Sequence, residues 1–265
     1  MWTDTHCHLD AGEFGAAGSA AGAIAARAAQ AGVTRIVVPA VEVANFGTVA
    51  QLAAATPGCH YALGIHPMYV ERAQESDLDH LREAITIALS DARFVAVGEI
   101  GLDFFVPALR EGPLREKQEH FYAEQLKIAR EFKLPVLLHV RRSQDIILKY
   151  LRRISVAGGI AHAFNGSFQQ AETFIGLGFR LGFGGEMTYT RSLQIRRLAT
   201  ELPLEAIVLE TDAPDIPPAW EQPGHNAPEH LPRIGAVFAE LRGLSLDEAA
   251  RATTANAHAV LPRLA

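Results

Sequence analysis

Pro135-Val136-Leu137-Leu138-His139-Val140-Arg141 reads as a short strand, apolar on both faces, that turns polar only at its C-terminal end. A strand buried on both faces belongs to a parallel sheet covered by helices, since an antiparallel sheet with one wet face would alternate. The segment 143–154 that follows has helical spacing, with Ser143 in the N-cap position. This strand–helix unit repeats in both directions along the chain. With 135–140, apolar runs at 2–6, 34–39, 60–65, 94–99, 159–163, 179–183 and 207–211 make eight. Helix-period segments at 18–31, 43–55, 77–91, 114–132, 143–154, 167–177 and 192–202 lie between them, and 228–241 and 246–257 follow the last. Eight such units in a row predict an α/β fold of the closed (β/α)8 TIM barrel type, with an open doubly wound sheet as the alternative.

Composition is consistent with that size and class. The chain has 265 residues, 49% hydrophobic and 20% charged, the profile of a soluble globular protein. Barrels of about 250 residues form one domain. No Ser- or Pro-rich linker interrupts the middle, so 1–265 is read as a single domain, and the proline-rich stretch 213–224 as a structured rim loop. The balance of 24 Lys+Arg against 30 Asp+Glu, a net charge of -6, argues against holding duplex nucleic acid or an anionic membrane by net electrostatics alone. No run approaches the roughly 18 apolar residues of a membrane span. Met1-Trp2-Thr3-Asp4 lacks the basic and apolar regions of a secretory signal, so a cytoplasmic location, no membrane partner and a monomer are expected. Only 2 Cys stand beside 11 His, which excludes a disulfide scaffold and a cysteine-built zinc site and leaves a His/carboxylate metal site open.

The polar residues that interrupt the apolar runs do so at their C-terminal ends: His6 and His8, His66, Glu99, His139 and Arg141, His162, and Asp212. A barrel gathers those ends on one face, where such barrels keep their active sites. Alternation along the first strand puts His6 and His8 on one side and Cys7 on the other. Taken alone, His-x-His is as consistent with two unrelated polar residues as with metal binding. Four imidazoles and two carboxylates converging on one rim are hard to satisfy without a cation. Six ligands exceed what one tetrahedral ion needs, which predicts two divalent ions bridged by Glu99. One takes His6, His8, Glu99 and Asp212, and the other Glu99, His139 and His162.

These motifs resemble those of the TatD family of metal-dependent deoxyribonucleases, within the amidohydrolase-like, metallo-dependent hydrolase barrels. Asp4-Thr5-His6-Cys7-His8-Leu9-Asp10, Gly98-Glu99-Ile100-Gly101-Leu102-Asp103, Leu134-Pro135 through His139-Val140-Arg141, Glu210-Thr211-Asp212-Ala213-Pro214 and Asn226-Ala227-Pro228 are similar to the family's successive signatures, over essentially the whole chain. Asn165-Gly166 stands where the family often has a serine, Leu261 where it has an aromatic residue, and Val106-Pro107 where a basic residue is common. The resemblance implies hydrolysis of phosphodiester bonds, chiefly from the 3′ end of single-stranded DNA, with Mg, Mn or Zn as the ions. Glu99 and Asp212 are the expected catalytic residues, Asp212 as proton acceptor beside the attacking water.

Beyond the ligands, His66, Arg141 and Asn165 are candidate substrate contacts. His66 could reach the phosphate or the leaving oxygen, or serve only as a structural rim histidine. Arg141 could bind phosphate or pair with Asp103 or Glu210. Asn165-Gly166-Ser167 opens a helix and could present backbone N–H groups to an anion, although ordinary capping by Ser167 accounts for the serine. Phe104 and Phe105 could stack on bases or pack against the loop. Arg191, Arg196 and Arg197 read as a solvated helix face, with a phosphate-tracking patch as the alternative. The competing functions are an amide, ester, lactone or aminoacyl hydrolase on the same barrel, and a non-catalytic metal-binding interaction protein. Glu99 in place of a bridging Lys on the fourth strand, and a complete ligand set, weigh against them.

Overall fold

A computed structural model describes residues 1–264. Eight strands, β1 (Trp2–Asp4), β2 (Val33–Pro39), β3 (Cys59–Leu63), β4 (Phe94–Asp103), β5 (Val136–Arg141), β6 (Gly159–Ala161), β7 (Phe179–Phe183) and β8 (Ile207–Leu209), form one sheet in sequential order. Every successive pair is parallel. The helices that follow them are α1 (Ala21–Gln30), α2 (Phe46–Ala55), α3 (Ser76–Ala88), α4 (Gly112–Phe132), α5 (Gln144–Leu151), α6 (Phe168–Gly176), α7 (Leu193–Glu201), α8 (Leu231–Arg242) and α9 (Leu246–Val260). The sheet closes into a barrel at its seam: Thr5 N–H donates to Leu209 O at 3.2 Å, and Cys7 bridges Ala213 in parallel. The expected TIM barrel is therefore present.

Two apolar layers hold it. Between sheet and helices the strands' outward residues, such as Ile36, Val38, Val97 and Leu138, pack with Ile24, Val49, Leu81, Phe121 and Leu126. Inside the barrel Val37, Ala62, Ala96, Leu137, Ile160 and Val208 form a separate cluster, closed from below by Val260, Leu261 and Leu264. Arg263 fastens that C-terminal plug by donating to the carbonyls of Phe94, Asp91 and Leu89 at 2.6, 2.8 and 3.0 Å. The interior is filled at this end, so only the opposite end, where the strands finish, is free to hold a site.

Strand lengths differ from the sequence reading. The ladders of β1, β6 and β8 stop at Asp4, Ala161 and Leu209, so His6, His8, His162 and Asp212 stand just past their strands. Strand β4 instead runs on to Asp103, four residues beyond the expected end at Glu99. The glycine at 98 marks close packing there: a Cβ on Gly64 would lie 2.8 Å from Gly98 Cα, and one on Gly98 2.6 Å from Leu137 Cβ. Ser167 caps α6 with Gln170 in a reciprocal capping box, as expected. Ser143 precedes α5 but makes no cap; its hydroxyl donates to Leu102 O at 2.6 Å, tying the helix start to the end of β4. No helix among the described residues is long and apolar enough to cross a membrane.

Candidate metal centre

The barrel's C-terminal end opens into a cavity of about 1040 Å³ whose floor carries Glu99, His8, His66, His139, His162 and Asp212. The Glu99 carboxylate is buried and central. Its Oε2 lies 3.1 Å from His6 Nε2 and 3.5 Å from His8 Nε2, while Oε1 lies 3.0 Å from His139 Nδ1 and 3.4 Å from His66 Nε2. Asp212 Oδ1 is 3.8 Å from His6 Nε2 and 3.7 Å from His8 Nε2, and its Oδ2 is 3.5 Å from His162 Nε2. The ring of His162 stacks on that of His6 at 3.8 Å.

Three groups of donor atoms lie within 4.8 Å of one another and could each hold an ion: His6, His8 and Asp212; His6, Glu99 and His162; and His66, Glu99 and His139. All six residues read as ligands from the sequence thus converge. The predicted trio Glu99, His139 and His162 does not form one of these groups: His162 leans towards His6 and Asp212, and His66 stands beside His139 instead.

Hydrogen-bond partners sort these imidazoles by tautomer. A histidine ligand carries its proton on the nitrogen turned away from the metal, held there by a neighbouring acceptor. His139 fits, with Nε2 3.0 Å from Asp103 Oδ2 and Nδ1 facing Glu99. His162 has Nδ1 2.9 Å from Glu210 Oε1, a charge-paired contact off-axis for a hydrogen bond, and Nε2 facing Asp212. His66 does the reverse. Its Nδ1 accepts the Met68 N–H at 3.2 Å, which leaves the ring proton on Nε2, aimed at Glu99. His66 therefore enters the cluster as a hydrogen-bond donor.

Electrostatics follow the same division. Burial lowers the pKa of His66 to about 4, against the opposing pull of Glu99, so its ring is neutral. Burial also lowers His6, with the neighbouring His162 adding to it. For His8 burial is outweighed by the hydrogen bond to Glu99 and the charges of Glu99 and Asp212, and its pKa rises to about 9. His162 rises well above its ordinary value because Asp212 and Glu210 overcome its burial. Burial would raise Glu99, but the surrounding imidazoles, His66 and His6 foremost, hold it well below the usual carboxylate range. Imidazole nitrogens on two sides of an ionised carboxylate, with His6 Nε2 and His8 Nε2 only 3.3 Å apart, are a donor set suited to divalent cations.

Several positioning residues escaped the sequence reading. Glu210, 1% exposed, accepts the Ala163 N–H at 2.6 Å and the Thr5 hydroxyl at 3.3 Å. Asp4 receives the Thr211 N–H and hydroxyl at 2.9 and 2.6 Å across the seam. Asp212 and Ala163 both have left-handed backbone, φ 57 and 43, which turns the chain immediately at the candidate ligands. Two glutamines seven residues apart on α4 hold two strand ends: Gln118 pairs with the backbone of Asp103 and Gln125 with that of Ile65, next to His66. Their spacing on one helix face was the available signal. Asn226, in the Asn-x-Pro element, donates to Thr211 O and Ile216 O and secures the rim loop.

Arg141, Arg142, Phe105 and Asn165 line the cavity wall. Arg141 lies 3.8 Å from Asp103 and covers the Phe105 ring at 3.9 Å. Phe104 packs inward under Arg115. The three arginines near α7 do not form a patch: Arg197 pairs with Glu201, Arg196 donates to Met187 O, and Arg191 lies over Tyr189.

The chain matches the family described as TatD related DNase over residues 3–262. It is 42% identical over 256 residues to the uncharacterized metal-dependent hydrolase YjjV of Escherichia coli, covering 96% of this chain and 95% of that one. An uncharacterized metal-dependent hydrolase of Haemophilus influenzae is 39% identical over 242 residues, covering 90% and 91%. The crystal structure of YjjV, a TatD homologue, superimposes with a TM-score of 0.91 over 98% of both chains. Family match and fold agree with the geometry at the barrel mouth, and the chain belongs to the TatD family of metal-dependent hydrolases.

Proposed function

We propose that this protein is a deoxyribonuclease that removes nucleotides from the 3′ end of single-stranded DNA, using two divalent ions, Mg, Mn or Zn. The observation that carries the reading is Glu99, whose two oxygens face two separate sets of imidazoles as a bridging carboxylate would. One ion would be held by His6, His8, Glu99 and Asp212, and the other by Glu99, His139 and His162. The tautomer set by Asp103 favours His139 over His66 for the second set, and His162, whose Nε2 lies 3.5 Å from Asp212, would turn towards Glu99 and His139 to complete it. Bound ions in these places would lower the pKa of a water and neutralise charge building on a phosphoryl group.

The protein's own groups supply the rest. Asp212, ionised because the imidazoles of His162, His6 and His8 overcome its burial, accepts the proton of the attacking water. Its left-handed backbone fixes where that carboxylate points. The His66 Nε2–H, set by Met68 and facing Glu99, would turn to a phosphoryl or leaving oxygen once Glu99 holds the ions, without adding a charge. Arg141 offers a guanidinium to a phosphate and Asn165 an amide, both from the cavity wall.

Purified protein with Mg²⁺ or Mn²⁺ is expected to release mononucleotides from 5′-labelled single-stranded DNA, and Glu99→Ala to abolish this by parting the two ion positions. DNA left intact across several metals, with esters hydrolysed instead, would overturn the reading.

A further inference from the structure

The mouth of the cavity carries guanidiniums on one arc and carboxylates on the facing one, with Glu186, after β7, between them. At the ends of β4 and β5, Phe105 is exposed and carries two guanidiniums, Arg141 at 3.9 Å and Arg142 at 4.8 Å from its ring centre. Across the mouth, the loops after β1 and β8 bring Asp10, Glu13 and Asp215 to the same cavity. In an eight-stranded barrel closed between β8 and β1, the ends of β4 and β5 are the points farthest from that seam, so the two arcs oppose each other. Among the described residues no Lys or Arg forms an ion pair with Asp10, Glu13 or Asp215, and the nearest cationic groups are imidazoles, His8 and His225. Asp10 spends one oxygen on the Asn45 amide at 2.8 Å, and its other oxygen is buried without a partner.

An exposed ring under guanidiniums offers a stacking face for a base beside contacts for phosphate. An array of carboxylates offers acceptors for hydroxyl groups and repels a further phosphate. Resting on the deoxyribonuclease reading above, we propose that the cavity selects strand ends bearing a free hydroxyl: the strand enters over the Arg141–Phe105–Arg142 ridge, and its terminal sugar faces Asp10, Glu13 and Asp215, which reject a terminal phosphate. The same wall disfavours a strand that continues past the site, because its next phosphate would meet the same charges.

The test uses one oligodeoxynucleotide ended by a 3′-hydroxyl or a 3′-phosphate, which carries about -1.5 to -2 charge at neutral pH. Wild type in Mn²⁺ is expected to prefer the hydroxyl end in kcat/KM by about tenfold or more, the scale of one partly screened charge contact. The double variant Glu13→Gln, Asp215→Asn is expected to narrow that ratio by raising turnover of the phosphate end, and Arg141→Ala to lower both ends alike. Binding of fluorescein-labelled tetranucleotides in EDTA, read by anisotropy, is expected to rank the two ends in the same order. Equal turnover of both ends by wild type, or a ratio that the double variant leaves unchanged, overturns the inference while leaving the nuclease reading in place. Failure to cleave any DNA overturns both.

Discussion

Replacing Asp103 by Asn tests whether the outer carboxylates choose which nitrogen faces the metal. Asp103 is fully buried, and its two oxygens have separate tasks. Oδ1 accepts the N–H groups of Phe105 and Val106 at 2.7 and 2.9 Å, and Oδ2 faces His139 Nε2 at 3.0 Å. In Asp103→Asn the amide oxygen must stay with the two backbone donors, so the amide N–H₂ falls on the histidine side. Two donors cannot face each other, so His139 is driven to carry its proton on Nδ1, the nitrogen that looks at Glu99. The loop keeps its turn, but the lone pair needed for an ion is lost. Partners of this kind are worth roughly tenfold to a hundredfold in metal affinity, or about 1.4–2.8 kcal/mol. Competition titration with a chromogenic chelator would measure it, with circular dichroism verifying that the fold is intact. A variant that takes up metal with wild-type affinity and stoichiometry would refute the tautomer argument.

Two other perturbations reach other parts of the molecule. Gly182→Ala would drive a Cβ into the Glu210 carboxylate, so overpacking is expected to cost about 1–3 kcal/mol in urea denaturation and to weaken metal uptake by displacing Glu210 from His162; unchanged stability and affinity would contradict it. Burial pushes the Cys59 thiol up to about 12 and raises Cys7 still more strongly, so both stay protonated as pH rises through the alkaline range. Neither should react with a disulfide reagent at pH 8 in the folded protein, and both should in denaturant, a contrast that counting released thiolate would settle.

The barrel was legible because its signals are local and repeated. Runs such as Pro135 to Val140 are apolar on both faces, and only a parallel sheet under helices buries them so. The convergence of His6, His8, Glu99, His139, His162 and Asp212 followed from one rule, that strand ends share a face. What the sequence did not disclose depends on contacts between distant segments. The extent of β4 was underestimated because the strand was ended at its first polar residue, Glu99, whereas its ladder with β5 runs on through Gly101 and Leu102 to Asp103. The donor role of His66 depends on a backbone N–H two residues on, whose direction is set by the turn at Pro67–Tyr69. Glu210 stood in a recognised motif, yet only the fold puts it against His162.

The seam of the barrel runs through the candidate metal centre. Asp212 N–H donates to His6 O at 2.8 Å and His8 N–H to Ala213 O at 2.7 Å, so the first and last strands meet where the ligands cluster. An ion shared by His6, His8 and Asp212 would also be a clasp joining the two ends of a loop of about 200 residues, and the entropy of closing a chain grows with the length enclosed. Such a clasp acts on the unclosed barrel as much as on the reaction. Metal occupancy would then be written into how readily the barrel opens at β1 and β8, and hydrogen exchange at Thr5, Cys7 and Asp212 would register it before any substrate is present.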